Sequence, residues 1–359
     1  KDKYAVKVSL ADSDGTAVGT EQTNATGSFD NLEVGKYKIT ATLSDGTTEK
    51  KKVEKTINIK NLDDMSAYLF VHFVDTQEDA TREQIYFSVS KDGKTWTTLN
   101  NKQPYLTSNV GTQGVRDPYI LRGEDGKFFI IATDLSVYNL KNNWTAAAQQ
   151  GSKSIVVWES SDLVNWSEAS LVKINNDNAG CTWAPEACYD PEKDEYMVFW
   201  ASVVSDDSYQ KYRIYRSYTK DFKTFSAPEL YIEEPNAVID TTIIDHEGTY
   251  YRFTKNEAKS SITMQECTSL SGDWKDVANY NLGSMTGYEG PTIYKLNGKN
   301  EWCLLLDYFS KSKGYKPFVT TDITKGEFTA DSDFSFDGTY RHGTVMPITQ
   351  AEYESLTAE

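Results

Sequence analysis

Short apolar runs separated by polar turns dominate this chain, and the turns EDG, DHEG and LNGKN stand where tight hairpins need them, so the pattern predicts an all-β protein. Helical periodicity is confined to WTAAAQQ, starting at Trp144, and QAEYESL near the C-terminus. Two patterns recur along the strands. The first is an apolar strand opened by a residue able to carry charge or a proton: Asp117 in VRDPYI, Glu186 in WAPEACY, Asp240 in IDTTII, Glu289 in YEGPTIY and His342 in RHGTVMP, at gaps of 69, 54, 49 and 53 residues. The second lies roughly 15 to 20 residues before the next such strand. It is a Ser/Thr and a turn followed by an aromatic, at Trp96, Trp166, Phe225, Trp274 and Phe328. Repeats of this period predict a five-bladed β-propeller over residues 66–359. The first strand of each blade would line a central channel and gather the carboxylates and the histidine around one axis. YLFVHFV and EQIYFSVS would complete the last blade with the C-terminal RHGTVMPIT, closing the ring from both ends of the domain.

Residues 1–61 read as a separate small immunoglobulin-like β-sandwich. YAVKVSL, GSFDNL, GKYKITATL and KKVEKTINIK alternate as strands between DSDGT, VG and SDGT turns. Asp12, Asp14 and Asp30 are turn residues there rather than metal ligands. NLDDMS is the expected linker.

A net charge of −16 excludes nucleic acid and anionic lipid as natural partners, since phosphate binding needs clustered Lys and Arg. No apolar run is long enough for a transmembrane helix. The chain opens without Met or an apolar leader, as a mature or trimmed chain would. The four cysteines are too scattered for a disulfide scaffold, and Cys188 and Cys303, in apolar strands, are expected to be buried thiols. Loops for phosphate or dinucleotide binding, HExxH and GxSxG are absent.

Carboxylates facing one another across a narrow funnel suit the hydrolysis of a bond between sugars. That reaction takes an acid to protonate the departing oxygen and a base to activate water on the opposite face, about 6.5 to 9.5 Å apart in inverting enzymes. A third carboxylate near the acid would disfavour its ionised form. Asp117, Asp240 and Glu289 are best placed, each just before a short strand.

VRDPYI, WAPEACYDPEKDEYMVFW, VIDTTII, YEGPTIYK and RHGTV together resemble glycoside hydrolase family 43, five-bladed propellers that hydrolyse arabinosides and xylosides with inversion. The resemblance implies Asp117 as general base, Asp240 as the aspartate that tunes the acid's pKa, and Glu289 as general acid. Thr241 stands where the family usually has Pro. It also implies that Glu186 lines the pocket, with a catalytic acid as the competing reading, while Arg341 and Asp134 are further candidates for substrate binding and Trp183, close to a strand entrance, is either a stacking wall for a sugar ring or part of the core. His342 resembles an axial histidine that faces a structural channel ion, calcium by the resemblance. Calcium prefers oxygen, so the ion would be held mainly through water, and no cofactor is required for the reaction.

The expected activity is that of an α-L-arabinofuranosidase, with β-xylosidase or exo-galactosidase of the same fold as alternatives. A non-catalytic carbohydrate-binding propeller and a phosphorylase or sucrose-acting relative are the others, the phosphorylase disfavoured because the sequence shows no basic cluster beside the three carboxylates. The expected partner is a neutral plant glycan or oligosaccharide, and the expected setting a secreted or cell-surface bacterial protein. It would be a monomer or part of a larger modular enzyme. Loops 134–153 and 203–212 would shape specificity through Tyr138, Trp144 and Tyr209.

Overall fold

The computed structural model describes residues 4–23, 29, 32, 35–59, 65–74 and 79–358. Most of the expected GSFDNL strand, Asp30 and the bulk of the NLDDMS linker lie outside them. The chain divides into two compact units, residues 1–64 with the turn 189–195, and residues 65–188 with 196–359.

In the first unit the strands Ala5–Asp12, Ala17–Thr23, Gly35–Ser44 and Glu49–Ile59 form one antiparallel sheet in the order second, first, third, fourth. Asp12 sits in a turn, where its carboxylate accepts from the Asp14 and Thr16 N–H groups at 3.0 and 2.8 Å. Among the described residues this unit shows that single layer.

Among the described residues the second unit contains five sheets, antiparallel but for one short edge. The first runs from Val115–Arg122 out to Ser170–Lys173, the second from Trp183–Asp190 to Glu229–Ile232 and the third from Val238–His246 to Lys275–Asp276. The fourth runs from Glu289–Lys295 to Thr329–Ala330. Within each of these four sheets the strands follow chain order. The fifth is assembled from both ends of the unit, because Gly343–Thr349 pairs antiparallel with Met65–His72, followed outward by Tyr86–Ser90 and Thr95–Thr98. A two-residue edge, Ser335–Phe336, lies parallel to Thr95–Trp96. Among the described residues the two α-helices fall at Trp144–Gln149 and Gln350–Thr357, where the periodicity placed them.

Side chains between sheets close them into a ring. Leu69, Val71 and Phe87 of the fifth sheet share a core with Ile120, Ile130 and Trp158 of the first. Phe129 of the first meets Phe222 at a ring separation of 4.6 Å, and Phe222 in turn packs on Tyr196 of the second. Phe199 packs toward Ile239, Phe253 toward Trp302, and Leu305 toward Phe70, which continues the circuit through the third and fourth sheets back to the fifth. Burial of these apolar faces on both sides of every sheet is what holds the ring.

The Ser/Thr turn motif has a local cause. In the fifth sheet Ser90 Oγ accepts from the Gly93 N–H at 2.9 Å, and Asp92 Oδ1 accepts from the N–H groups of Lys94 and Thr95. Ser160 with Asp162 and Thr219 with Asp221 repeat the arrangement. Each motif satisfies the turn's backbone donors and delivers the aromatic that follows to the sheet. Among the cysteines Cys303 is buried as expected, whereas Cys188 is only half-buried, because its strand position faces the margin of the core.

Candidate active site

A backbone irregularity at the head of the first strand in four of the sheets places the site residues. Asp117, Ala184, Asp240 and Gly290 all adopt left-handed backbone, with φ of 49, 47, 50 and 50°. In the first, third and fourth sheets the strand register shifts at the same point. Such bulges re-aim side chains, and strained non-glycine residues in the left-handed region persist only where the surroundings enforce them. Pro118, Pro185 and Pro291 follow three of these residues, and Thr241 follows the fourth. The carboxylates are therefore not in one register. Asp117 and Asp240 occupy the bulge itself, Glu289 lies one residue before it, and Glu186 two residues after it.

Asp117, Asp240, Glu289, His342, Arg341 and Trp183 all line one cavity of about 640 Å³, together with Arg116, Trp144, Tyr212, Lys255, Glu257 and Phe309. His342 is the link between two of the carboxylates. Its Nδ1 stands 3.3 Å from Asp117 Oδ1 and 3.9 Å from Asp240 Oδ1, so those two oxygens are no farther apart than these two legs allow. Thr133 donates to the other Asp117 oxygen at 2.9 Å, while its hydroxyl accepts from the Ala184 N–H at 2.7 Å. The second Asp240 oxygen accepts from the Gly290 N–H at 3.1 Å, directly beside Glu289. A Cβ on Gly290 would stand 2.7 Å from His342 Cγ, so only glycine lets the ring approach.

Cations surround Glu289. Lys255 Nζ donates to Oε2 at 2.9 Å and Arg341 to Oε1 at 3.1 Å. Arg341 also donates to Asp307 at 2.6 Å, and Lys255 pairs with Glu257 at 2.8 Å. Arg116, between the Phe73 and Trp144 rings, is paired with Glu83 at 3.0 Å. Glu83 is fully buried and also accepts from Ser136 Oγ and from the Val137 and Tyr138 N–H groups. The expectation that no basic cluster stands beside the carboxylates is thus corrected: three Lys and Arg side chains, Arg116, Lys255 and Arg341, line the cavity beside His342, contributed by segments far apart in sequence, and each is matched by carboxylate.

The electrostatics separate the acidic groups. Burial works against ionisation of Asp117, but the hydrogen bond and charge of His342, with Arg116 and Thr133, hold its pKa below the usual carboxylate range. Burial raises Asp240 to about 6 despite His342 and Lys255, helped by Glu289 and Asp117. Burial likewise raises Asp307 to about 6 against the pull of Arg341. For His342 burial disfavours the charged ring, yet Asp240, Asp117 and Glu186 overcome it and lift the pKa to about 9, so the imidazolium persists at neutral pH.

Two candidates lie off the cavity wall. Glu186 is displaced along its strand by the register difference and is buried beneath the wall, where burial pushes its pKa up to about 8. Asp134 is also buried, and its carboxylate accepts from the Thr112 N–H and hydroxyl at 2.8 and 2.9 Å, which commits it to a turn. Of the expected specificity-loop aromatics, Trp144 reaches the cavity, while Tyr138 and Tyr209 do not line it. Tyr212 does, stacked on Trp183 at 5.4 Å, with Trp144 edge-on to Trp183 at 6.2 Å.

Glu83, Thr133, Lys255 and Asp307 were not singled out from the sequence. Thr133, Lys255 and Asp307 close apolar runs on the second strands of their sheets, an ionisable or polar end to FFIIAT, YYRFTK and WCLLLD that could have signalled them. His72 lies in the core, bonded to Ser88 and stacked on Tyr340, and His246 packs against Trp302.

Residues 63–354 match a family model, related to glycoside hydrolase family 43, described as a probable glycosyl hydrolase domain. An α-L-arabinofuranosidase of Bifidobacterium longum subsp. longum is 30% identical over 382 residues, which covers 92% of this chain and 35% of that protein. The chain spans about a third of the length of this curated relative. Among solved structures, the GH43 BlXynB protein from Bacillus licheniformis aligns with a TM-score of 0.49 at 17% identity, over 79% of this chain and 55% of its own. The catalytic domain of the Coprinopsis cinerea GH62 α-L-arabinofuranosidase aligns with a TM-score of 0.46 at 16% identity, over 64% of this chain and 71% of its own.

Proposed function

The chain belongs to the glycosyl hydrolase family related to family 43, and from that premise we propose an inverting glycosidase that releases arabinose or xylose units from plant cell-wall glycans. Its first activity is that of an α-L-arabinofuranosidase. The observation that carries the reading is the entry of Asp117, Asp240 and Glu289 into one cavity from three different sheets.

The roles follow from surroundings. Asp117, kept ionised by His342 and Arg116, is the base that takes a proton from the attacking water. Glu289 is the acid that protonates the departing glycosidic oxygen, and its place is fixed on both carboxylate oxygens. Asp240, bonded to the N–H next to Glu289 and lying near His342, tunes the field between base and acid. Trp183, Tyr212 and Trp144 supply an apolar wall for the C–H face of a sugar, and Arg341 stands where a sugar hydroxyl could meet it. Because the cavity cations are matched by carboxylates, a neutral sugar suits the site better than inorganic phosphate, which disfavours a phosphorylase.

Around this site we read the ring of five sheets as a five-bladed β-propeller spanning residues 66–359, and residues 1–61 as a small immunoglobulin-like module whose described strands form one sheet rather than the two layers of the expected sandwich. A polymeric glycan substrate goes with a secreted or cell-surface bacterial enzyme, monomeric or embedded in a larger modular protein. Among the described residues no helix is long and apolar enough to cross a membrane. A channel calcium facing His342 would have to be held mainly through water, since among the described residues no three acidic, His or Cys groups are arranged to hold a metal ion directly.

Nitrophenyl α-L-arabinofuranoside, β-xyloside and β-galactoside assayed side by side test the sugar, and NMR of the first-formed product tests the stereochemistry. Glu289→Gln should lower hydrolysis of the preferred substrate by about 10² to 10⁴, with no turnover restored by azide. Near wild-type activity in that variant overturns the acid assignment, and a retained anomer overturns inversion.

A further inference from the structure

The bulges make positions in different sheets directly comparable. Immediately before the bulge, the first strand carries Arg116, Ile239 and Glu289 in the first, third and fourth sheets. The residues paired with them on the second strands are Thr133, Lys255 and Asp307. Each of these three touches a site group: Thr133 donates to Asp117, Asp307 accepts from Arg341, and Lys255 donates to Glu289. One position on the second strand is thus used repeatedly to hold a residue of the cavity.

Lys255 is the costly member of this set. Its side chain is only 3% exposed, and a buried ammonium survives only when it is paired. The charged groups that face it are Glu289 at 2.9 Å and Glu257 at 2.8 Å, with Asp240 nearby, and the Phe309 ring covers it at 4.5 Å. Glu257, in the turn that follows the same strand, would by itself satisfy a purely structural lysine. The bond to Glu289 crosses to a different sheet, and Arg341 holds the other oxygen of the same carboxyl from a third.

We propose that Lys255 is the positioning residue of the proton donor, fixing the Glu289 carboxyl from the third sheet while Arg341 fixes it from the fifth. This rests on the reading of Glu289 as general acid. A carboxyl held on one oxygen only would swing in the cavity, and misplacement by about 1 Å costs on the order of a hundredfold in rate. The penalty falls on the step that protonates the leaving group, not on substrate binding.

The test compares wild type, Lys255→Met, Lys255→Arg and Glu289→Gln on aryl glycosides of the preferred sugar whose phenols range from poor to good leaving groups. Lys255→Met should lose about a hundredfold in kcat on the poorest leaving group, with KM little changed, and recover toward wild type on the best. Lys255→Arg should keep most of the activity across the series. If Glu289→Gln shows no recovery with better leaving groups, the acid assignment itself fails. If Glu289→Gln recovers but Lys255→Met loses equally on every substrate, or loses through KM alone, the positioning role is overturned. Should Lys255→Met not yield folded protein, Lys255→Gln, of similar length and without charge, is read by the same criteria.

Discussion

His342 and Asp117 face each other nitrogen to oxygen at 3.3 Å across the seam where the fifth sheet meets the first. The imidazolium keeps the carboxylate ionised, and the carboxylate keeps the ring charged. In the proposed mechanism that mutual hold keeps the base ready at neutral pH. Asp117→Asn removes the proton acceptor while retaining its shape, so hydrolysis should fall by about 10² to 10⁴. Steady-state kinetics on the preferred aryl glycoside measure the loss, and an unchanged far-UV spectrum separates it from unfolding.

The same cluster makes stability depend on alkaline pH. His342 has a folded pKa of about 9, above its unfolded value, so its contribution is complete below about 6.5 and disappears as pH rises through about 9. Glu186 is raised to about 8, so the folded state binds a proton that the unfolded chain has already lost, and its ionisation also weakens the fold as pH climbs from about 4.5 to about 8. Both signs agree. The melting temperature should decline between pH 6 and 9, and Glu186→Gln should flatten that decline at its lower end. A profile unchanged by Glu186→Gln would mean that the folded state holds this proton no more tightly than the unfolded chain does.

Gly290→Ala should both destabilise and impair the enzyme. The new methyl would have to share space with the His342 ring at 2.7 Å, in left-handed backbone that alanine resists. A loss of about 1 to 3 kcal/mol in urea unfolding is expected, with a larger proportional drop in kcat than in substrate affinity, since Glu289 is the next residue.

Glu83 is expected to matter for folding before it matters for activity. Its carboxylate receives Arg116, a serine hydroxyl and two backbone N–H groups with no exposure to solvent. Glu83→Ala strands a buried guanidinium and should cost about 3 to 5 kcal/mol. Glu83→Gln, which keeps some acceptors, should cost less. Chemical denaturation of the two variants ranks them, and equal losses would show that charge is not what holds this corner.

The strand heads and the Ser/Thr turns could be read from the sequence because each repeat must rebuild the same hairpin, and a repeated hairpin needs the same turn chemistry. The pairing of the C-terminal strand with Met65–His72 followed from the need to leave no open sheet edge. Register within each strand head was harder. RDP, WAP, IDT and EGP look alike in sequence, but the bulge falls on the aspartates in two of them, on Ala184 in another and on Gly290 in the last, which moved Glu186 off the wall. Asp134 misled for a related reason: it ends an apolar strand just as Asp307 does, yet it turns back to the Thr112 loop instead of toward the cavity. Glu83, Lys255 and Asp307 escaped notice because the cavity residues they bond to are 33 to 34 residues away, and no local pattern marks such a pairing.

The strand that carries Arg341 and His342 to the cavity is the final one of the ring, and its partner, Met65–His72, is the earliest strand of that unit. A ribosome making this protein therefore delivers Asp117, Asp240 and Glu289 well before the two residues bonded to them. Four sheets could form while the nascent chain was still emerging, but the proposed chemistry would stay dormant until Gly343–Thr349 had emerged and docked against a strand made more than 250 residues earlier.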